Sequence, residues 1–249
     1  MNKPAELDQT ISQMFEAERR VRKLHNELAD SDEGPLLDAV SRAIEAALKE
    51  SDENEASLRL ERLAVLLGER EGARVVDLLI DVLASEFPDA RAAAGEQLEG
   101  LAFDRFKEVA KGVERAVKRL PDGSPALPEL PYIVAQVPEP GVSKLLKLFL
   151  EHRDPDAVAA AIEASVEIGD VSQVDALERL SKDGRTVEVT DEEDESATVT
   201  IGELALEAMD VLSQDEELDD EEDEEDEEPP PPPKPQGKPA NAKSPAKKG

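Results

Sequence analysis

The chain has 249 residues, of which 39% are hydrophobic and only 2% aromatic, with no cysteine and a formal charge of −31. An aliphatic, alanine-rich composition suits closely packed helices and suits aromatic-lined pockets poorly; the lack of cysteine excludes disulfides, thiolate chemistry and Cys-ligated zinc or iron–sulfur sites. Removing the 13 acidic residues of positions 215–228 and the five lysines from Lys234 onward leaves −23 on residues 1–214, a charge that phosphate backbones repel, so direct nucleic-acid binding is not expected.

Residues 5–29 predict a long amphipathic helix, with Leu7, Ile11, Met14, Val21, Leu24 and Leu28 on one face and charges such as Glu16, Arg19, Arg20, Arg22 and Lys23 on the other. Gly34-Pro35 breaks the chain and sets up a second helix with Leu36, Leu37, Val40, Ala43, Ile44 and Leu48 as its stripe. Residues 1–53 are expected to form a helical hairpin that caps the N-terminal end of a repeat domain. A dimerising coiled coil is the rival reading, because positions 7, 14, 21 and 28 form a heptad line. Against it, Glu18 falls at an expected core position.

From residue 54 to 213 one unit recurs: an apolar stripe, a Gly/Asp/Pro break, and a second stripe. Units begin near Asn54, Pro88, Pro125, Asp154 and Val199. A period of this size is the mark of a helical-pair repeat. The first unit pairs residues 54–69 with 73–85, the latter apolar nearly all round. The second opens at Phe87-Pro88-Asp89, runs to Leu101, and continues with a helix carrying Phe103, Phe106, Val109, Val113, Val117 and Leu120. The third holds Pro121, Pro125, Pro128 and Pro131, which leave room only for a short helix around Leu130 to Val137, then a helix with Val142, Leu145, Leu146, Phe149 and Leu150. In the fourth, Asp154-Pro155-Asp156 caps a helix containing Val158, Ile162 and Val166. Gly169-Asp170 then breaks the chain before a stripe of Val171, Val174, Leu177 and Leu180.

After Asp183-Gly184 the period becomes two. Residues 186–190 and 197–201 predict the strands of a hairpin inserted at 185–201, and Thr200 with Glu203 forms a capping box for a closing helix. Residues 214–249 are expected to be a disordered tail. It comprises an acidic block (215–228), a polyproline spacer (229–233) of about 15 Å at ~3.1 Å per residue, and a Lys/Pro/Ala arm (234–249).

Asp154-Pro155-Asp156-Ala157-Val158 through Ile168-Gly169-Asp170, then Val174, Leu177 and Leu180, resembles a HEAT-type repeat. Pro88-Asp89-Ala90-Arg91 resembles the same first-helix opening. The resemblance covers about residues 54–213 and departs from the pattern at the proline-broken third unit and the hairpin. It implies an all-α fold, a HEAT-like α-solenoid whose second helices line a concave face, and a role in protein–protein interaction. Some relatives with this repeat are bilin lyases or isomerases, but no residue here matches one.

Functional expectations rest on charge. Lys107, Lys111, Arg115, Lys118 and Arg119 in unit two, with Lys144 and Lys147 in unit three, gather on second helices, a candidate basic groove in an acidic protein. The competing explanation is an ordinary solvated face with pairs such as Glu108–Lys111 and Glu114–Lys118. His25 and His152, the two imidazoles, sit among charges and read as solvated. No Walker A, G-x-S-x-G, G-x-G-x-x-G or H-E-x-x-H pattern occurs, so no catalytic, cofactor or metal residue is expected. The expected protein is a cytoplasmic, non-enzymatic adaptor without a membrane span, with protein partners. Its acidic tail would fold back on the groove or act as a solubilising bristle. The alternative is an acidic chaperone-like or nucleic-acid-mimic binder of a basic protein.

Overall fold

The computed structural model describes the backbone of residues 4–190 and 196–225, and the side chains of residues 6–189 and 196–214. Ten α-helices and one hairpin run in order: α1 (Pro4–Ala29), α2 (Glu33–Ala47), α3 (Glu53–Gly68), α4 (Ala73–Leu83), α5 (Pro88–Arg119), α6 (Ala126–Ala135), α7 (Val142–Leu150), α8 (Pro155–Glu167), α9 (Val174–Leu180), β1 (Thr186–Thr190), β2 (Ser196–Thr200) and α10 (Ile201–Glu225). The protein is predominantly helical with one small antiparallel sheet.

Side-chain caps start three of the helices, α3, α8 and α10. Asp52 accepts from the backbone N–H groups of Asn54 (3.1 Å) and Glu55 (3.2 Å) at the head of α3. Asp154 does the same for Asp156 (3.0 Å) and Ala157 (3.3 Å) at α8, where Pro155 takes the first helical position. At α10 the predicted capping box forms in both directions: the N–H of Glu203 donates to Thr200 Oγ1 (3.2 Å), and the N–H of Thr200 donates to Glu203 Oε2 (2.8 Å). The hydrogen bond from the Thr200 backbone holds the Glu203 carboxyl below its usual range. The break after α8 is made by Gly169 at φ +62°, a left-handed conformation that a side chain disfavours.

Packing runs along the chain. Helix α2 lies on α3 and α4; α3 and α4 on α5; α5 on α6 and α7; α6 and α7 on α8; and α8 and α9 on α10. One continuous apolar cluster, from Leu36 to Leu212, threads these contacts. Ion pairs join helices one unit apart. Arg74 of α4 meets Asp38 of α2 (2.6 Å), Arg115 of α5 meets Asp77 of α4 (2.8 Å), and Arg91 of α5 meets Glu129 of α6 (2.8 Å). Tyr132 of α6 donates to Glu163 of α8; burial first, then that hydrogen bond, raises the phenol well above its ordinary pKa.

Four elements differ from the sequence reading. The two helices of the second unit follow one another within α5, with a kink at Arg105 (φ −145°, ψ 47°) and no intervening loop. Helix α6 starts at Ala126, four residues before the expected Leu130. Pro128 falls in its first turn, where a missing N–H costs nothing, and the ring of Pro131 is buried. The second stripe of unit four opens as a 3₁₀ turn over Val171–Gln173 before α9 begins. Strand β2 ends at Thr200, so Ile201 is the first residue of α10 and is buried there. The strands pair antiparallel, with Thr186 opposite Thr200 and Val187 opposite Val199.

Helix α10 continues as backbone to Glu225, through most of the acidic block, beyond the expected end of the folded chain at 213. The polyproline spacer and the Lys/Pro/Ala arm lie outside the described residues, as does the acidic hairpin tip at 191–195. Among the described residues no helix is long and apolar enough to cross a membrane.

Candidate protein-interaction surface

The Arg105 bend gives α5 a second half, residues 106–119, that packs between α4 and α7 and carries five basic side chains. Its inward face is apolar: Phe106, Val109, Val113 and Ala116 are buried. Gly112 brings it close to α4, since a Cβ there would collide with Val76. The charged residues are therefore held on the outer side by a rigid, close-packed support.

Two grooves flank this half-helix. Between α5 and α7 lies a shallow groove of about 230 Å³ lined by Lys107, Lys111 and Lys144, with Glu114, Phe106 and Gly141. Lys107, Lys111 and Lys144 are exposed, and Lys144 stands 3.8 Å from Glu114. Between α4 and α5 lies a second groove of about 410 Å³, lined by Asp77, Asp81, Arg115, Lys118 and Arg119. There Arg115 donates from Nε (3.1 Å) and Nη2 (2.8 Å) to Asp77 Oδ1, and Arg119 pairs with Asp81.

The predicted basic residues are thus divided. Lys107, Lys111 and Lys144 converge on one groove. Arg115 is half-buried and committed to Asp77, and Lys118 sits in the mixed-charge groove. Lys147 is exposed on α7 and lines neither. Glu114, expected to pair with Lys118, meets Lys144 instead, and the residues missed by sequence reasoning are Asp77 and Asp81. Their signal was the repeat offset, for Asp77–Arg115 and Asp81–Arg119 are both 38 residues apart. Around Lys107 and Lys111 the net effect is a small positive site, because no carboxylate lies within ion-pair distance of either among the described residues.

Both histidines make specific contacts instead of being merely solvated. His25 Nε2 lies 2.9 Å from Glu69 Oε1, tying α1 to the end of α3. His152 Nδ1 accepts from the backbone N–H of Asp154 (3.1 Å). Nearby, the Arg185 guanidinium spans the His152 (2.9 Å) and Arg153 (2.7 Å) carbonyls and the Asp183 carboxylate. Hydrogen bonding to Arg185 holds the Asp183 carboxyl below its usual range against the opposing pull of burial. No cluster of three or more potential metal-ligating side chains occurs among the described residues. Comparison with protein-family models, with curated proteins and with solved structures finds no match.

Proposed function

We propose that the chain is a non-enzymatic, HEAT-like α-solenoid adaptor that binds an acidic segment of a partner protein in the groove between α5 and α7. The observation that carries this reading is the placement of Lys107, Lys111 and Lys144 around one groove in a body of charge −23. Neighbour-to-neighbour packing of α2 through α10, with ion pairs repeating at offsets of 36 and 38 residues, supports the solenoid arrangement. In such a stack one surface groove is fixed by helices of two successive units, which pre-organises it at little entropic cost on binding.

If the acidic block at 215–228 leaves the helical path of α10, it competes for the same groove, because a tethered segment reaches an effective concentration in the millimolar range; if it stays there, it acts as a solubilising bristle. An acidic peptide titrated at low salt should bind the full chain, bind more tightly after deletion of residues 215–249, and lose at least about tenfold in affinity when Lys107, Lys111 and Lys144 are changed together to Glu. A second reading, sequestration of a basic protein by the acidic face and tail, is favoured by the overall charge. Binding to a basic protein that vanishes on deleting 215–228 and is indifferent to the lysine reversals would replace the groove reading with that one.

A further inference from the structure

Helix α1 is the one long amphipathic element, among the described residues, whose apolar face the fold leaves uncovered. Leu7, Ile11, Met14, Val21, Leu24 and Leu28 are 44–57% exposed, and Phe15 is 53% exposed beside them. The C-terminal half of the helix is fixed to the body: His25 meets Glu69, and the Arg70 guanidinium donates to the Leu28 (3.1 Å) and Ala29 carbonyls. This half forms one wall of an open, mainly apolar cleft of about 500 Å³, whose opposite wall is Ala43, Ala46, Leu58, Leu63 and Leu66 together with Arg59 and Arg62. The N-terminal half, with Leu7, Ile11 and Met14, lines no cleft with the body. Contiguous exposed apolar surface of this extent is rare on a monomer.

The pattern of the stripe says what covers it. Turned end for end about the point between Ala17 and Glu18, the six stripe positions superimpose on themselves, 7 on 28, 11 on 24 and 14 on 21, while Phe15 falls level with Arg20. Of the charges, Glu16 superimposes on Arg19 with its sign inverted, while Asp8 superimposes on Glu27. Glu6, Asp8 and Glu16 make the first half acidic, and in the second half Arg19, Arg20, Arg22 and Lys23 outnumber Glu18 and Glu27. A helix dipole favours acids early and bases late, but it places no demand on where leucines recur. A two-fold axis does, because an isologous contact requires that residue i meet j and j meet i.

We infer that α1 pairs antiparallel with α1 of a second copy of this chain, about a two-fold axis at Ala17–Glu18. In that pairing Leu7 lies level with Leu28 of the other copy, Ile11 with Leu24, Met14 with Val21, and Glu16 with Arg19. The unsupported N-terminal half of each α1 then enters the other copy's cleft, against Leu58, Leu63 and Leu66, so both exposed surfaces are covered at once. Asp8 level with Glu27 is the one like-charge juxtaposition, near the ends. Parallel pairing would set acidic half on acidic half and basic on basic, and would leave the cleft open. The inference goes beyond the adaptor reading and stands without it; it concerns a surface formed by α1, α2 and α3, remote in sequence from Lys107 and Lys144.

The test uses the full chain in sedimentation velocity across the micromolar range, with unfolding followed separately to confirm that the body is intact. The expected mass is twice the 27.0 kDa of one chain. Met14→Glu, at a side chain that is 57% exposed and outside the cleft lining, should weaken association by at least about tenfold while leaving the melting of the body in place. Because the chain has no native cysteine, direction is read by disulfide trapping. Leu7→Cys mixed with Leu28→Cys should give a cross-linked heterodimer, and Leu7→Cys alone should give none, since antiparallel pairing holds the two copies of position 7 about 30 Å apart at ~1.5 Å per residue. A single-chain mass at all concentrations, a doubled mass retained by Met14→Glu, or efficient self-cross-linking of Leu7→Cys would each overturn the inference.

Discussion

Asp154 is 2% exposed, yet both its oxygens are engaged. Oδ1 accepts from the N–H groups of Asp156 and Ala157 and so starts α8, while Oδ2 accepts from the N–H of Gly123 in the loop between α5 and α6. One carboxylate therefore ties the third unit to the fourth, and the Arg153–Asp122 pair (3.3 Å) runs alongside. Losing a helix cap costs about 0.5–2 kcal/mol, and losing the hydrogen bond from Gly123, which lies in an exposed loop, adds about 0.5–1.5 kcal/mol. Asp154→Ala should accordingly destabilise the chain by roughly 1–3 kcal/mol, read as a lower urea midpoint at unchanged slope. Asp154→Asn keeps a carbonyl oxygen for the cap and should lose clearly less. An Ala variant within about 0.5 kcal/mol of wild type would mean that the Gly123 contact contributes nothing. The Asp-Pro-Asp cap is legible in the sequence because all its parts are adjacent. The Gly123 contact joins positions 31 residues apart, and no local pattern announces it.

At the scale of the element, α5 shows where patterning succeeds and where it stops. Its two apolar stripes are readable, and so is a change of direction between them. That the change is a bend at Arg105 is not, since Arg105 is an ordinary helix former; its backbone departs from helical values where its guanidinium reaches Glu71. The start of α6 escapes pattern reading for a related reason: counting prolines predicts loss of helix, but the cost depends on whether each proline falls in the first turn, which needs the boundary itself. Two glycines of α5 turn this into a prediction of opposite signs. Gly100 is exposed, with no neighbouring atom within 4 Å of where a Cβ would stand, so Gly100→Ala should stabilise by about 0.5–1 kcal/mol through helix propensity. Gly112 faces the stiff, β-branched Val76 across the α4–α5 contact, so Gly112→Ala should destabilise by about 1–3 kcal/mol despite the same gain in propensity. Thermal melts of the two variants side by side decide it. Stabilisation by both would show that α4 and α5 are less closely apposed than the packing around Val76 indicates.

For the whole molecule, the balance of charge is the term that is plainest in the sequence and least resolved by it. Counting residues yields −23 for positions 1–214 but cannot say which cations are already spent. The fold spends Arg74, Arg91, Arg115 and Arg119 on carboxylates of neighbouring units and leaves Lys107 and Lys111 unpaired among the described residues. These inter-unit pairs are partly exposed, so each is worth about 0–1 kcal/mol and is weakened by salt. The uncompensated negative charge opposes compaction and is also weakened by salt, with a screening length falling from about 30 Å at 0.01 M to about 10 Å at 0.1 M. The weak pairs act locally, whereas the excess charge acts across the whole body, and it is densest where α10 runs into the acidic block from Asp215. Repulsion should therefore win. Raising sodium chloride from about 0.01 M to about 0.3 M at neutral pH should raise the melting temperature by a few degrees. Deleting residues 215–249, which removes 13 acidic residues and five lysines, should raise the low-salt melting temperature and shrink the salt response. A melting temperature that falls with salt would reverse the ranking and make the inter-unit ion pairs, not the excess charge, the dominant electrostatic contribution to stability.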